Sequence, residues 1–207
     1  MSEMIQTVEP QSTPQIDADY SRFRADVYAL LGSLLSRAPD EGLLGWLREI
    51  ELEDDDTSAM HEAWLVLKLA AERADQAQVA DEYQALFIGI GRGELMPYGS
   101  WYLTGFMMER PLIALRNELS ALGFERQSEV KEPEDHIAAL CQVMAMLVHP
   151  EEDYPPGRQQ QFFNHHMQSW SAQLFRDMQQ AQSAHFYSAV GRFGEVFLEQ
   201  EALLLEA

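Results

Sequence analysis

Residues 83–102 read YQALFIGIGRGELMPYGSWY, and this stretch decides how the chain is organised. The spacing of Tyr83, Leu86 and Phe87 predicts the end of a helix. An irregular loop over residues 88–99 follows, because three glycines and Pro97 interrupt the helical period. Aromatic side chains flank this loop on both sides. The sequence therefore predicts a binding surface at this point of an otherwise regular chain.

Helical periodicity extends in both directions from the loop, and no segment alternates with period two. A break or restart is expected at Pro111 and a helix end at Gly123. The apolar residues that mark the predicted helices span 20–35, 43–50, 60–71, 79–87, 103–119, 137–148, 162–174 and 186–198. The chain is predicted to be all-α, a compact helical bundle of roughly eight or nine helices.

Domain organisation follows from composition. Residues 1–17 are polar and contain two prolines, which predicts a disordered tail. Residues 18–207 are predicted to form a single all-helical domain, because a chain with 46% hydrophobic residues can bury a core of its own. A division of this domain into two lobes joined near residues 123–133 stays open.

The charge balance narrows the classes of partner. Lysine and arginine together number 14 and aspartate and glutamate 34, so the formal net charge is −20. Such a surface repels phosphate backbones and anionic membranes and attracts cationic peptides. A nucleic-acid function is thereby excluded. The acidic run 51–56 lacks the ligand alternation of a calcium loop and is interpreted as a solvated connection.

Cysteine content and the absence of targeting patterns indicate the compartment. The only cysteine, Cys141, lies in an apolar helical pattern and is predicted to be a small buried hydrophobe outside any disulfide. The sequence shows no basic and apolar export leader, no adjacent arginine pair and no apolar run approaching the ~18 residues of a membrane span. A cytoplasmic location without membrane insertion is expected.

A charged block follows the loop at a distance. Glu132 and Pro133 predict a sharp helix start at Glu132, with Glu134 and Asp135 at the positive end of the helix dipole. His136 follows Glu132 by four residues, which is interpreted either as a local pair on one helical face or as a ligand contact. Asp135 faces elsewhere and is expected to be the freer carboxylate.

Two catalytic interpretations lack the patterns that they require. The glycines of residues 89–93 have no preceding strand and no Lys-Ser/Thr pair, so they do not form a phosphate loop. Ser100 has Asp135 and His136 downstream, but no nucleophile elbow surrounds it. Neither nucleotide chemistry nor hydrolysis is supported by these residues.

The sequence contains residue types that can bind a metal ion, but it lacks the spacing of a known helical metal site. His136, His165 and His166 could be combined with Glu132 and Asp135, but the Glu-x-x-His spacing of helical metal bundles does not occur at these histidines. His166 lies on an aromatic helix face and is predicted to be partly buried, with its ring hydrogen bonded within the core.

Considered together, these motifs resemble the successive signatures of the TorD/DmsD/NarJ family of molybdoenzyme maturation chaperones. Ile90, Gly99 and Ser169 depart from the family pattern, and these departures bear on the shape of the loop and on client preference. The residues that carry the resemblance are Tyr83, Leu86, Phe87, Gly89, Gly91, Pro97, Tyr98, Ser100, Tyr102, Glu132, Pro133, Asp135, His136, His166, Met167 and Trp170.

The resemblance implies a TorD-like all-helical fold and a cytoplasmic chaperone that is not an enzyme. Such a protein binds the twin-arginine signal peptide, or the apo form, of the catalytic subunit of a dimethyl-sulfoxide-reductase-superfamily molybdoenzyme. It thereby assists insertion of the molybdenum cofactor and delays export. By matching position, the resemblance implies a signal-peptide or client-binding region made of Tyr83, Phe87, Pro97, Tyr98, Ser100, Trp101, Tyr102, Glu132, Asp135 and His136.

The character of these residues agrees in kind with such a role. Carboxylates pair with guanidinium groups, and an aromatic groove accepts an apolar peptide segment. No catalytic residue, metal or cofactor is expected. Weak guanine-nucleotide binding is implied by the resemblance alone, and either a monomer or a homodimer agrees with it.

Two other classes of function remain open. One is a helical metal-dependent enzyme or hydrolase that uses Asp135, His136 and His166. The other is an acidic adaptor for a folded partner. The sequence does not identify the client, for which reductases of trimethylamine oxide, dimethyl sulfoxide, nitrate or tetrathionate and formate dehydrogenase stay open.

Overall fold

A computed structural model describes residues 18–53, 55–125, 131–152, 154–155 and 157–206. These residues form ten α-helices and contain no β-strand, which confirms the all-α prediction and adds one helix to the higher predicted number. The tail predicted for residues 1–17 lies outside the described residues. The division into two lobes stays a prediction.

The helices follow one another with short connections. A single π-helical turn, Gln84–Ile88, continues the fourth helix into the loop. The bounds in chain order are α1 Ala18–Ser36, α2 Glu41–Glu49, α3 Ala59–Arg73, α4 Gln76–Tyr83, α5 Gly99–Thr104, α6 Arg110–Ala121, α7 Ile137–Val148, α8 Arg158–His166, α9 Ser171–Gln180 and α10 Phe186–Glu206.

Three helix pairs form the centre of the bundle: α7 packs along α1, and α10 packs along both α9 and α3. Glycines allow close approach in the α1–α7 and α9–α10 pairs. A Cβ on Gly32 of α1 would lie 3.3 Å from the Ala138 carbonyl oxygen of α7, and one on Gly194 of α10 would lie 2.2 Å from the Phe175 ring of α9. The packing is therefore tight at Gly32 and leaves no room for a larger residue at Gly194.

The apolar pattern predicts the buried face of α1 correctly from Val27 to Leu35 but not at the start of the helix. Tyr20 and Phe23 are 42% and 40% exposed, whereas Arg24 and Tyr28 are completely buried. Arg24 donates to both oxygens of the Glu201 carboxylate in α10, from Nε at 2.6 Å and from Nη2 at 2.7 Å, and the Tyr28 hydroxyl donates to the same carboxylate at 3.0 Å. A buried ion pair thus joins the first and last helices.

A second buried carboxylate fixes the start of α10. Glu82 of α4 accepts hydrogen bonds from the backbone amides of His185, Phe186 and Tyr187 at 2.8, 3.1 and 2.7 Å. These amides have no acceptor within their own helix, and the negative charge is favourable at the helix N-terminus. Glu82 therefore anchors α10 to the helix that leads into the loop.

The helix that follows the loop ends earlier than predicted. α5 ends at Thr104, Gly105 adopts a left-handed conformation with φ of 80°, and α6 restarts with Pro111 in its first turn. The predicted restart at Pro111 and stop at Gly123 are confirmed, since Gly123 has φ of 82°. The early break leaves Phe106 68% exposed, although the periodicity places it on a buried face.

The prediction that Cys141 is a small buried hydrophobe is met by the fold. Cys141 in α7 is fully buried and lies outside any disulfide, and burial strongly raises the pKa of its thiol. Among the described residues, no helix combines the length and apolar character needed to cross a membrane.

Candidate functional site

The loop and the downstream charged block meet in a short antiparallel pairing, although more than 30 residues separate them in the sequence. Tyr98 and His136 form an isolated β-bridge. The Gly99 amide donates to the Asp135 carbonyl, and the Ile137 amide donates to the Pro97 carbonyl, both at 2.9 Å. This pairing brings the two motifs into one structural unit.

Asp135 is a buried structural carboxylate, so the prediction that it is the freer carboxylate is wrong. It is 3% exposed, and its Oδ2 accepts from the Ser100 amide at 2.8 Å, in the first turn of α5. Tyr98 precedes α5 without a capping side-chain bond, so Asp135 supplies the cap from a distant part of the sequence. Asp135 Oδ1 and the Ser100 hydroxyl are buried without a hydrogen-bond partner among the described residues.

His136 caps α7, which begins at Ile137 and not at Glu132 as predicted. The His136 Nδ1 accepts from the Ala138 amide at 3.1 Å. The sequence placed the helix start too early because Glu132-Pro133 is an N-terminal signature, whereas Pro133 lies in a turn closed by the hydrogen bond from His136 N to Pro133 O. Burial lowers the pKa of His136 to about 4, despite the negative charges nearby. His136 is therefore neutral at pH 7.

Glu132 is the exposed carboxylate of this unit. Its partner is the Tyr98 hydroxyl, which donates to Glu132 Oε2, and not His136 on a shared helical face. Burial raises the pKa of Tyr98, and the hydrogen bond to Glu132 raises it further. The next acid, Glu134, accepts from Arg116 of α6 at 3.0 and 2.8 Å. The charged block is thus connected to both the loop and α6.

Two predicted site residues belong largely to the core. The Tyr83 hydroxyl donates to the Leu35 carbonyl at 3.3 Å, and its ring lies 5.0 Å from the Phe87 ring. Both rings contact Tyr187 at the start of α10, with centroid distances of 5.8 and 5.3 Å. Burial raises the pKa of Tyr83, and the nearby charge of Glu132 contributes. These two aromatic residues therefore pack the start of the loop against α1 and α10.

The glycines shape the backbone of the loop. Gly89 has φ of 61°, and a Cβ there would lie 2.0 Å from the Arg92 carbonyl oxygen. A Cβ on Gly93 would lie 2.5 Å from the Leu86 carbonyl oxygen. The loop therefore folds back onto the π-helical turn. Glu94 closes it against the α9–α10 connection by accepting from the Gln182 and Ser183 amides at 2.5 and 3.1 Å.

Trp101 and Tyr102 point in different directions from α5. The guanidinium of Arg92 lies 4.9 Å from the Trp101 ring centroid, which is a cation–π contact within the loop region. The Tyr102 ring stacks on Trp170 at 5.5 Å, and its hydroxyl donates to Asp177 Oδ2 at 2.8 Å. Burial raises the pKa of Tyr102, with Asp177 adding to the shift.

A cleft of about 280 Å³ lies beside this unit, between α5, α6 and the end of α8. Asp135 is the predicted site residue that lines it. Four exposed apolar side chains belong to the α5–α6 region, and one of them, Leu103, also lines the cleft. The four are Leu103 (43% exposed), Phe106 (68%), Met108 (69%) and Ile113 (60%). Sequence analysis missed this surface because the helical period assigned Leu103 and Phe106 to the interior.

The lining of the cleft includes a polar cluster, of which the sequence singled out the two histidines but not the carboxylate. Glu118 Oε2 in α6 lies 2.9 Å from His166 Nε2 and 3.2 Å from His165 Nδ1 in α8. This confirms the prediction that His166 is satisfied within the fold. Burial lowers the pKa of His166. Burial alone would raise the pKa of Glu118, but the hydrogen bonds with the two histidines hold this pKa below its usual value.

A larger cleft of about 550 Å³ lies elsewhere, between α1, α2 and α3. Tyr20, Phe23 and the 51% exposed Trp46 line it, and carboxylates from the predicted acidic connection border it. None of the predicted site residues lines this cleft, so size alone does not identify the region that the motifs mark.

Comparisons with known proteins agree with the fold and the motifs. The family model described as "Nitrate reductase delta subunit" matches residues 53–176. A "Chaperone protein TorD" from Shewanella sp. is 27% identical over 92% of this chain and 97% of the relative. A "Probable Tat proofreading chaperone DmsD" from Haemophilus influenzae is 25% identical over 78% of this chain and 81% of the relative.

A solved structure extends the comparison to the fold. A crystal structure from Archaeoglobus fulgidus, assigned as a redox enzyme maturation protein, superposes with a TM-score of 0.56. The two chains are 18% identical, and the match covers 93% of this chain and 99% of the other. At this level of identity the match shows a shared fold.

The helical fold with its paired loop and charged block defines a protein of the TorD-like type. Because the family match spans more than half of the sequence, the chain belongs to the nitrate reductase delta subunit family, within the TorD/DmsD/NarJ group of maturation chaperones. The prediction that the chain is not an enzyme is confirmed, since the names of the family and of these relatives indicate chaperones and not catalysts.

Proposed function

We propose that this protein is a cytoplasmic chaperone that binds the twin-arginine signal peptide, or the apo form, of a molybdenum-cofactor oxidoreductase. It assists cofactor insertion and delays export until the client is complete. The pairing of the loop with the charged block carries the proposal. It joins the exposed Glu132 to the half-buried Tyr98, which directly precedes α5, the helix that carries the exposed Leu103. The names of the relatives support the same role.

The two chemical requirements of such a peptide are met by different residues. An arginine-rich start needs a carboxylate with free acceptor capacity, and Glu132 uses one of its oxygens for the Tyr98 hydroxyl. An apolar middle needs exposed hydrophobic area, which Leu103, Phe106 and Met108 provide. The net charge of −20 attracts the cationic peptide over a longer range.

The buried members of the predicted region have a supporting role in this proposal. Phe87, Pro97, Ser100, Asp135 and His136 are all buried, so they offer a bound peptide little accessible surface. A substitution at Asp135 removes the cap of α5 and would weaken binding through misplacement of the loop. Tests of direct contact therefore require the exposed residues.

Calorimetric titration with a synthetic twin-arginine leader tests the proposal. Glu132→Gln and Phe106→Ser are each expected to weaken binding about tenfold, which corresponds to about 1.4 kcal/mol. Glu49→Gln, an exposed carboxylate on α2, serves as the matched control and should bind as the parent does. Affinity is also expected to fall as salt is raised, because the charged contact is exposed. Equal affinity of parent and both site variants would refute the assignment.

Comparison of precursor with leaderless client separates this function from that of an adaptor for a folded partner. A leader-binding chaperone captures the precursor in preference to the leaderless form. Equal capture of both would favour the adaptor. The identity of the client follows from co-purification from native extract, and gel filtration with light scattering distinguishes monomer from homodimer.

A further inference from the structure

The polar cluster in the lining of the smaller cleft could bind a ligand that the chaperone function does not require. We propose that Glu118, His165 and His166 form a binding site for a single divalent transition-metal ion, with zinc as the favoured ion. The three side chains come from two helices, α6 and α8, that face each other across the cleft. The proposal does not rest on signal-peptide binding and goes beyond the proposed function.

The spacing of the three donor atoms is close to that of a metal site. Glu118 Oε2 lies 2.9 Å from His166 Nε2 and 3.2 Å from His165 Nδ1, and all three atoms lie within 4.8 Å of one another. Around a tetrahedral zinc ion with bonds of about 2.0–2.2 Å, ligand atoms are roughly 3.3–3.6 Å apart. Movements of a few tenths of an ångström to about 1 Å therefore suffice to enclose an ion.

The Glu118 carboxylate has an acceptor oxygen that the fold leaves unused. Glu118 Oε1 is buried and has no hydrogen-bond partner among the described residues, which is a cost that metal coordination would relieve.

The surroundings leave a fourth position open. The cleft above the cluster has a volume of about 280 Å³ and is lined by Leu103, Pro111, Ala114 and Trp170. Three protein ligands with one open position are typical of zinc sites that keep a water or a further ligand. Two imidazoles and one carboxylate favour zinc, nickel or copper over calcium and magnesium, which prefer oxygen ligands.

The two histidines are positioned by α8 and by Trp170, the residue directly before α9. The Trp170 Nε1 donates to the His166 carbonyl at 2.7 Å, and the Phe162 ring lies 5.0 Å from the His166 ring. His166 is therefore fixed in place, with a side chain only 8% exposed. The His165 side chain is 56% exposed and free to complete the coordination.

Titration of untagged full-length protein with zinc chloride at pH 7.5 tests the proposal. The parent is expected to bind one zinc per chain, and Glu118→Gln and His166→Gln are each expected to weaken binding by about tenfold or more. His185→Gln, which changes an exposed histidine outside the cleft, should bind zinc as the parent does. Substitution of cobalt for zinc should give visible absorption of four-coordinate type in the parent and lose it in the Glu118 variant.

A second variant keeps the test decisive if loss of Glu118 or His166 impairs folding. His165→Gln removes an exposed ligand without disturbing the core, and it too should weaken zinc binding about tenfold. Circular dichroism of the metal-free variants establishes that they are folded. Zinc affinity that is equal in the parent and in folded His165→Gln would overturn the proposal, as would one zinc shared by two chains.

Discussion

The buried ion pair between α1 and α10 gives the sharpest test of how the bundle is held together. Arg24 and Glu201 side chains are each 1% exposed, and two short hydrogen bonds join them. Burial alone would lower the pKa of Arg24, but the carboxylate more than compensates, so the guanidinium stays charged. Arg24→Met leaves a buried carboxylate with the Tyr28 hydroxyl as its remaining neighbour of this cluster.

The expected cost of this substitution is about 3–5 kcal/mol, because removal of one partner leaves an uncompensated buried charge. For a chain of this size the midpoint of thermal unfolding falls by roughly 6–20 °C. The double variant Arg24→Met with Glu201→Leu removes both charges and should recover most of the lost stability. Urea denaturation of parent, single and double variants measures the free energies. A loss below about 1 kcal/mol in the single variant would refute the reasoning, because a buried charge cannot be left unpaired so cheaply.

Three further predictions concern the site and the packing. Asp135→Ala should lower the free energy of unfolding by about 1–3 kcal/mol in urea denaturation, because the Ser100 amide loses its acceptor, whereas Asp135→Asn keeps an acceptor and should cost less. His136 has a folded pKa of about 4, below its unfolded value of about 6.5, so the unfolded state binds the proton more readily. His136 should therefore lower the free energy of unfolding of the parent by about 3 kcal/mol as the pH falls from 6.5 to 4. His136→Asn, which can still cap α7, should lack this contribution over the same range. Gly194→Ala should lower the thermal midpoint by overpacking that costs about 1–3 kcal/mol, whereas Gly45→Ala, whose Cβ would meet nothing within 4 Å, should raise it.

The helices were predictable because their apolar spacing reports burial directly, and the failures have local causes. The start of α7 was misplaced because Glu132-Pro133 is a valid N-terminal signature, yet the turn that ends with the cap at His136 competes with it. The break after Thr104 was missed because Leu103 and Phe106 keep the period although they are exposed.

Partners that lie far apart in sequence could not be predicted from one chain. Charged side chains in helices are usually exposed, so the burial of Arg24 has no local signal. Its partner Glu201 is 177 residues away. The Glu82 carboxylate, which caps α10, gives no local signal either. The meeting of the loop with the charged block was anticipated through the resemblance, but the burial of Asp135 depends on a backbone pairing that one sequence does not reveal.

The single cysteine has a practical consequence. Cys141 is fully buried and its thiol is held in the protonated form, so thiol reagents should reach it only after global or large local opening. The natural chain is consequently almost unreactive toward maleimide dyes while it is folded. A cysteine placed at an exposed position outside the proposed leader-binding surface, such as Glu49, would be labelled selectively, and the binding of a leader that carries a second dye could then be followed by energy transfer.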